Sequence, residues 1–324
     1  MSTPTFPFLR LPSNVRHNVL RNLKFDELMD ISLISSNTKE MIKSLNLKVQ
    51  KISLNLDDPL FISIEFSSRN FTPFYLNHNG DLSSLPCYQI NPHLPKKRYT
   101  VKDYVDHFLA VLNKTRWNTL EFRQAEGQFD LNTVQELAPA TAGICIIKKY
   151  SHALIKEILT RYPSAGMLKL SELNETLLEP GVFLQNFDCL ILTRQWTMSL
   201  DDLLTTNCIR VRIQRSRMSK KDLNRFLKLW TVGGSPRLRL MDTGLSNFEG
   251  NQEAVLRGIT HQVMEGERQF EVSSENMDDI EQITVVGGVD IRRKDGVVGT
   301  VIFDRAQENG FITARMRFFV WNRM

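Results

Sequence analysis

The chain has 324 residues, 42% hydrophobic and 24% charged, with a net charge of +5. That balance belongs to an ordinary globular chain of one large or two to three average domains. No apolar run approaches the length needed to span a bilayer, and the N-terminus lacks a charged region followed by a signal-like apolar stretch, so secretion is not expected. Cys87, Cys145, Cys189 and Cys208 lie far apart and form no CxxC pair. They read as small buried hydrophobes in a reducing compartment, not as a disulfide frame or a zinc site. The charge is unevenly spread: between Thr205 and Leu240 ten Lys or Arg face a single acid, Asp222. Such a basic region describes a surface and its partner, not a fold.

In chain order, residues 8 to about 47 predict three short helices. Pro12 and Ser13 open the first, which carries Val15, Val19, Leu20 and Leu23. Asp26 is placed to cap the second, with Leu28, Met29, Ile31, Leu33 and Ile34. Asn37 and Glu40 have capping-box spacing for the third. Alternation and β-branched content in "KVQKISLNLDD", "LFISIEFSS" and "TPFYLNHN" predict strands. The turn-rich "GDLSSLPCYQINPHLPKKR" reads as an extended loop or linker, and "VKDYVDHFLAVLNK" returns to a helical period.

From Trp117 to about Met241 a short apolar strand, a loop and usually a helix recur. The strands expected are 119–122, 143–147, 167–170, 188–192, 208–213 and 236–241, whose starts are 24, 24, 21, 20 and 28 residues apart. That period suits a leucine-rich-repeat-like array in which each unit buries its apolar face on the next. A sheet with helices on one side fits almost as well. "SKKDLNRFLKLWTVGG" is the best-defined helix. Ser219 and Asp222 have capping-box spacing, Leu223, Phe226, Leu227 and Trp230 form one face, and Gly233 is placed for the C-terminal cap. The C-terminal part predicts a three-stranded antiparallel meander with turns at Asp295-Gly296, expected as type I′, and Asn309-Gly310. The fold class expected is α+β: a three-helix N-terminal module, the strand/helix array, and the closing β meander.

No phosphate-binding GxxxxGK[ST] loop, GxGxxG turn, HExxH pair or GxSxG elbow is present, and no cysteine context marks a nucleophile. The six histidines are scattered, and a lone histidine is more often a surface or satisfied core residue than a ligand. No catalytic residue, metal or cofactor is expected. Within "CIRVRI" and "PRLRLM", Arg210, Arg212, Arg237 and Arg239 alternate with aliphatics. On adjacent parallel strands they would line one exposed face, suited to an acidic or phosphorylated peptide; a solvated basic face is the blander reading.

The N-terminal helices carry apolar residues on more than one side. A unit of about 40 residues buries too little to stand alone. One apolar set serves its own core. The other, including Leu11, Val15, Leu20, Leu28 and Leu33, needs a cover from this chain or from another protein, and physics alone leaves both open.

"LRLPSNVRHNVLRNLKFDELMDISLISSNTKEMIKSL" resembles an F-box, through Leu11-Pro12, Val15, Val19-Leu20, Leu23, Leu28 and Leu33-Ile34-Ser35. Asn14 stands where an acid is common, and Thr38 where an aromatic is common. The segment from "ILTRQW" to "GSPRLRLM" resembles the type 2 F-box-associated domain of the large nematode F-box family, through "LDDLL", "DLNRFLKLW" and "GSPRLRL". The resemblance implies an F-box at 1–50, a β-rich connecting segment and linker at 51–115, and a substrate-binding associated domain at 116–324. It further implies a non-catalytic substrate receptor of a Skp/cullin/F-box ubiquitin ligase, in the cytoplasm or nucleus. Leu11, Pro12, Val15, Val19, Leu20, Leu23, Leu28, Leu33 and Ile34 would then bind the Skp-type adaptor. Two other readings stand beside it: a nucleic-acid-binding protein using 205–240, and an adaptor-free scaffold with a degenerate F-box.

Overall fold

The computed structural model describes residues 8–66, 71–76, 82–83, 99–171, 186–193, 198–216, 218–245, 252–275, 279–308 and 311–321. The fold is mixed, with helices and a predominantly β-sheet framework. The chain divides into two compact units. The first runs through Trp117 and includes 136–139; the second holds 118–135 and everything from Ala140 onward.

The first unit opens with α1 (Ser13–Arg21), α2 (Phe25–Ile34) and α3 (Ser36–Ser44). Pro12 occupies the N-cap position of α1, where its missing N–H costs nothing. The caps of α2 and α3 differ from expectation. Glu27, not Asp26, closes α2, accepting from the Lys24 N–H at 2.8 Å. Ser35 and Thr38, not Asn37 and Glu40, cap α3: Ser35 N donates to Thr38 Oγ1 at 3.0 Å and Thr38 N donates to Ser35 Oγ at 3.2 Å. α3 starts earlier than expected because a single residue, Ser35, separates it from α2.

After α3 come β1 (Lys51–Leu56), β2 (Leu60–Glu65), β3 (Phe71–Leu76) and β4 (Leu82–Ser83), an antiparallel meander, and then α4 (Val101–Val111). The rest of the predicted linker, with Cys87, lies outside the described residues. These elements are more than a connection, because they cover the inner side of the helices. Phe25 of α2 meets Phe66 and Phe74 edge to face, with ring centroids 4.9 and 5.7 Å apart. Phe74 in turn meets Phe108 of α4 at 4.9 Å. Buried Ser32 of α2 donates to Met29 O and accepts from His107 Nε2 of α4 at 2.8 Å. Since the hydroxyl has one proton, this places the His107 proton on Nε2.

The second unit contains β5 (Trp117–Phe122) from Asn118 on, α5 (Leu131–Leu137) as far as Gln135, β6 (Thr141–Ile146), α6 (His152–Arg161), β7 (Met167–Leu170) and β8 (Cys189–Leu192). It continues with α7 (Leu200–Thr205), β9 (Arg210–Ser216), α8 (Lys220–Thr231), β10 (Leu240–Leu245), α9 (Glu253–Leu256) and β11 (His261–Val263). Last come β12 (Glu267–Ser273), β13 (Ile280–Val286), β14 (Val289–Arg292), β15 (Val298–Glu308) and β16 (Phe311–Val320). Its sheet has the order β11-β14-β15-β16-β10-β9-β8-β7-β6-β5. The strands from β6 to β10 run parallel to one another. β16 then pairs antiparallel with β10 and carries the β14–β15–β16 meander.

Several boundaries differ from expectation: β5 and β6 each begin two residues earlier, at Trp117 and Thr141. β9 begins two residues and β10 four residues later than the alternation implies. In β10's case residues 235–238 form a turn, with Leu238 N donating to Ser235 O. The Asp295-Gly296 turn is not type I′, because only Gly296 has positive φ. Gly296 N bonds Arg293 O and Arg293 N bonds Val297 O, the pattern of a turn ending in a left-handed glycine bulge. Residues 309–310 lie outside the described residues, although Glu308 and Phe311 pair directly across them.

α8 lies on one face of this sheet. Leu223, Phe226, Leu227 and Trp230 are buried, as the spacing requires. Trp230 packs edge to face on Phe318 at 4.9 Å. Gly299 makes that contact possible, since a Cβ there would stand 2.5 Å from the Phe318 ring and 2.9 Å from Trp230. The ribbon β12–β13 covers the other face. Phe270, Val272 and Val285 form a core with Leu240, Ile302 and Phe319.

Two outcomes follow. Gly299→Ala forces the rings apart, and overpacking of this kind costs about 1–3 kcal/mol; the urea unfolding midpoint should fall with little change in slope. The second concerns His107, whose pKa is lowered to about 4, by burial first and by Lys39 second. The unfolded histidine, with its ordinary pKa of 6.5, takes up a proton that the folded one refuses. The stabilisation is therefore complete above pH 6.5 and lost as pH falls toward 4, reaching about 3 kcal/mol at the limit. Denaturant titrations from pH 7 to 4.5 should show a shallower acid decline in His107→Gln than in the parent chain.

Candidate functional site

The residues expected to bind an adaptor separate into two groups. Leu20, Leu28 and Leu33 are buried, at 1%, 4% and 8% exposure, within their own unit. Their side chains belong to the core of that unit. The helix pattern could not distinguish them from exposed neighbours because Leu20 lies within the same apolar sector of α1 as exposed Val15 and Val19, and α2 carries apolar residues around its whole circumference. Leu11 and Leu23 are half-buried. Pro12, Val15, Val19 and Ile34 are exposed, the last at 53%. Leu9, which the sequence reading did not include, is exposed at 56%. An apolar residue just ahead of the Leu-Pro entry to α1 was the signal available.

Pro12, Val15 and Val19 follow one another at i, i+3 and i+7, so they share one side of α1. Asn14 is exposed beside them. Thr38 is different: it is buried, and its side chain also donates to Ser35 O at 2.8 Å. Its role is to begin α3. A cleft of about 480 Å³ opens beside Ile34, walled by Lys39, Tyr99, Asp103 and His107. Asp103 is engaged in capping α4, accepting from Thr100 N at 2.8 Å.

The four arginines do not form one exposed face. Arg210 and Arg212 lie on β9, whereas Arg237 sits in the turn before β10 and Arg239 just after that turn, its N–H bonded to Ile209 O. All four are engaged by this chain. Arg210 is buried and donates to Glu281 Oε2 at 2.6 Å and to Ser273 O at 3.3 Å. Arg212 bonds Glu275 at 2.9 Å, and Arg237 bonds Asp188 at 2.5 Å. Arg239 donates to Val320 O at 2.8 Å and to Glu271 O at 3.3 Å. Arg210, Arg212 and Arg239 fasten the β12–β13 ribbon to the sheet. The sequence reading missed this because β12 and β13, lying between Glu267 and Val286, were not recognised as strands, and their acids therefore had no assigned place. Phe226 and Trp230 are buried, so neither offers the stacking surface of a nucleic-acid site.

Beyond the ribbon the same face carries Asp242, Asp304, Arg315 and Arg317. Arg315 bridges Asp304 at 3.0 Å and Asp242 at 3.3 Å, and Arg317 also reaches Asp304. Burial raises the pKa of Asp242, opposed by Arg315, Arg212 and Arg317. Among the described residues no group of three or more His, Cys, Asp or Glu could hold a metal ion. Burial pushes the Cys189 and Cys208 thiols up to about 12, so neither is a thiolate at neutral pH. No described helix is long and apolar enough to cross a membrane.

Comparison with known proteins agrees with these two regions. Residues 8–50 match the F-box domain, and residues 180–242 match the family described as F-box associated. The chain is 25% identical over 247 residues to the F-box associated domain-containing protein sdz-33 of Caenorhabditis elegans, an alignment covering 74% of this chain and 78% of the relative. No solved structure matches. The chain thus carries an N-terminal F-box domain followed by an F-box associated domain.

Proposed function

We propose that this chain is the substrate-recognition subunit of a Skp/cullin/F-box ubiquitin ligase. In this reading α1–α3, within residues 1–50, form a three-helix F-box docking on a Skp-type adaptor. Residues 116–324, including the leucine-rich-repeat-like parallel array, hold a protein target, and 51–115 support the helices. The chain contributes proximity: holding a target raises the effective concentration of its lysines near a ubiquitin-charged enzyme.

The observation that carries the proposal is the surface of the F-box-matching segment. Leu9, Pro12, Val15, Val19 and Ile34 leave apolar area in water although the unit has a buried core of its own. Leu11 and Leu23 support this surface from below, and Leu20, Leu28 and Leu33 hold the helices that present it.

The test is co-expression of the full chain with a Skp-type adaptor. Val15→Asp with Val19→Asp should abolish co-elution while leaving the unfolding free energy within about 0.5 kcal/mol of the parent, as for other exposed positions. Leu20→Ala should instead destabilise the chain by about 2–5 kcal/mol. A doubly substituted chain that still co-elutes with adaptor would overturn the proposal.

A further inference from the structure

Of the basic residues between Thr205 and Leu240, three stand apart on α8. Lys221, Arg225 and Lys228 are exposed. They follow one another at i, i+4 and i+7, so they form one stripe about 10 Å long. The stripe lies opposite the side that buries Leu223, Phe226, Leu227 and Trp230. Val232, just past the helix, extends it, and Leu229 borders it; they are 55% and 39% exposed.

Arg257, in the turn after α9, joins the stripe. Asn224 Nδ2 donates to Val255 O at 2.7 Å and to Arg257 O at 2.9 Å, which pins that turn against α8. A Cβ on Gly258 would stand 3.3 Å from Lys228 Nζ, so the Lys228 ammonium lies at the same turn, where Arg257 is exposed. Among the described residues Lys221, Arg225, Lys228 and Arg257 make no ion pair. The one acid of α8, Asp222, is turned to capping, accepting from Ser219 N at 2.9 Å and from Ser219 Oγ at 2.7 Å.

This placement works against the helix. Lys221 stands in the first turn with Lys220, at the positive end of the helix dipole. Lys221 and Arg225, and again Arg225 and Lys228, are like-charge neighbours at helical spacing. Other helices pair their surface cations: Lys43 with Glu40 on α3, Lys102 with Asp106 on α4, and Arg161 with Glu157 on α6. Local stability does not account for four cations gathered here. A partner of opposite charge does.

We propose that the outer face of α8, together with Arg257, docks an acidic polypeptide segment of the target. This rests on the substrate-receptor reading and names the class of its target. Carboxylates of the segment face the stripe, where complementary charge steers the encounter and sets its register. Apolar side chains beside those acids cover Leu229 and Val232. These two residues favour a polypeptide over a nucleic acid, which would call for exposed aromatic rings; the aromatics of α8 lie on its buried side.

The probe is a fluorescein-labelled peptide of four Glu-Glu-Leu-Ala repeats, titrated with the full chain and read by fluorescence anisotropy. Binding should be saturable and should weaken as salt is raised. The triple variant Lys221→Gln, Arg225→Gln, Lys228→Gln should lose at least tenfold in affinity. Its urea midpoint should equal or exceed the parent's, because the like-charge repulsion is gone. Leu229→Ser with Val232→Ser should also weaken binding of the peptide.

No saturable binding by the parent chain, equal binding by the triple variant, or equal binding of a peptide with Gln in place of Glu would overturn the proposal. So would affinity unchanged by Leu229→Ser with Val232→Ser. A thymidine oligonucleotide of equal net charge that binds more tightly than the peptide at the same salt would overturn it too, because the stripe would then belong to a nucleic acid. Failure of the parent to co-elute with adaptor would instead fail the receptor reading, and the titration of the free chain would still decide the stripe.

Discussion

Helices of nine and ten residues cannot hold themselves in water, and everything in the first unit follows from how α1–α3 meet that limit. Their inner side is covered by strands and by α4 from the same chain. Phe25, Phe74 and Phe108 form a run of edge-to-face rings between these layers, and the Ser32–His107 hydrogen bond satisfies the polar groups buried with them. Because that side is complete, the outer apolar residues are not remnants of an unfinished core. They can be covered by another protein without the helices rearranging, which keeps the ordering cost of association low.

The second unit solves a different problem. A parallel sheet needs both faces covered. α8 covers one face of its β9–β10–β16 region, through Trp230 and Phe226. A two-stranded ribbon covers the other, and such a ribbon is marginal by itself. It is held by Phe270, Val272 and Val285 in the core and by arginines at its rim. Two of the ten basic residues in 205–240, Arg210 and Arg212, are the counter-charge of this attachment, matched by Glu275 and Glu281.

Much of the fold was legible in the sequence. The period of α8, the Ser219–Asp222 cap and the recurring apolar strands are local signals, and local signals survive folding. The same Ser/Thr-x-x-Asp spacing at Thr100–Asp103 and Ser199–Asp202 also opens helices, so that signature was under-used. What was not legible depended on distant pairing. The destination of Arg210 is Glu281, 71 residues on, and no periodicity within β9 could show it. Likewise, Leu20 and Val19 are adjacent and both apolar, yet one is sealed and the other wet. Only the tertiary arrangement around α1 decides which.

The pairing of β10 with β16 carries a consequence for how the chain is made. Leu240 lies beside Phe319, so nearly eighty residues must be synthesised after Leu240 before its neighbour exists. At about 5–20 residues per second, that is a wait of roughly 4–16 seconds. Through that interval Trp230 lacks Phe318, Leu240 lacks Phe319, and one side of a growing parallel array is open to other nascent chains. The vulnerable species of this protein is therefore the ribosome-bound one, for which attendance by a chaperone matters most.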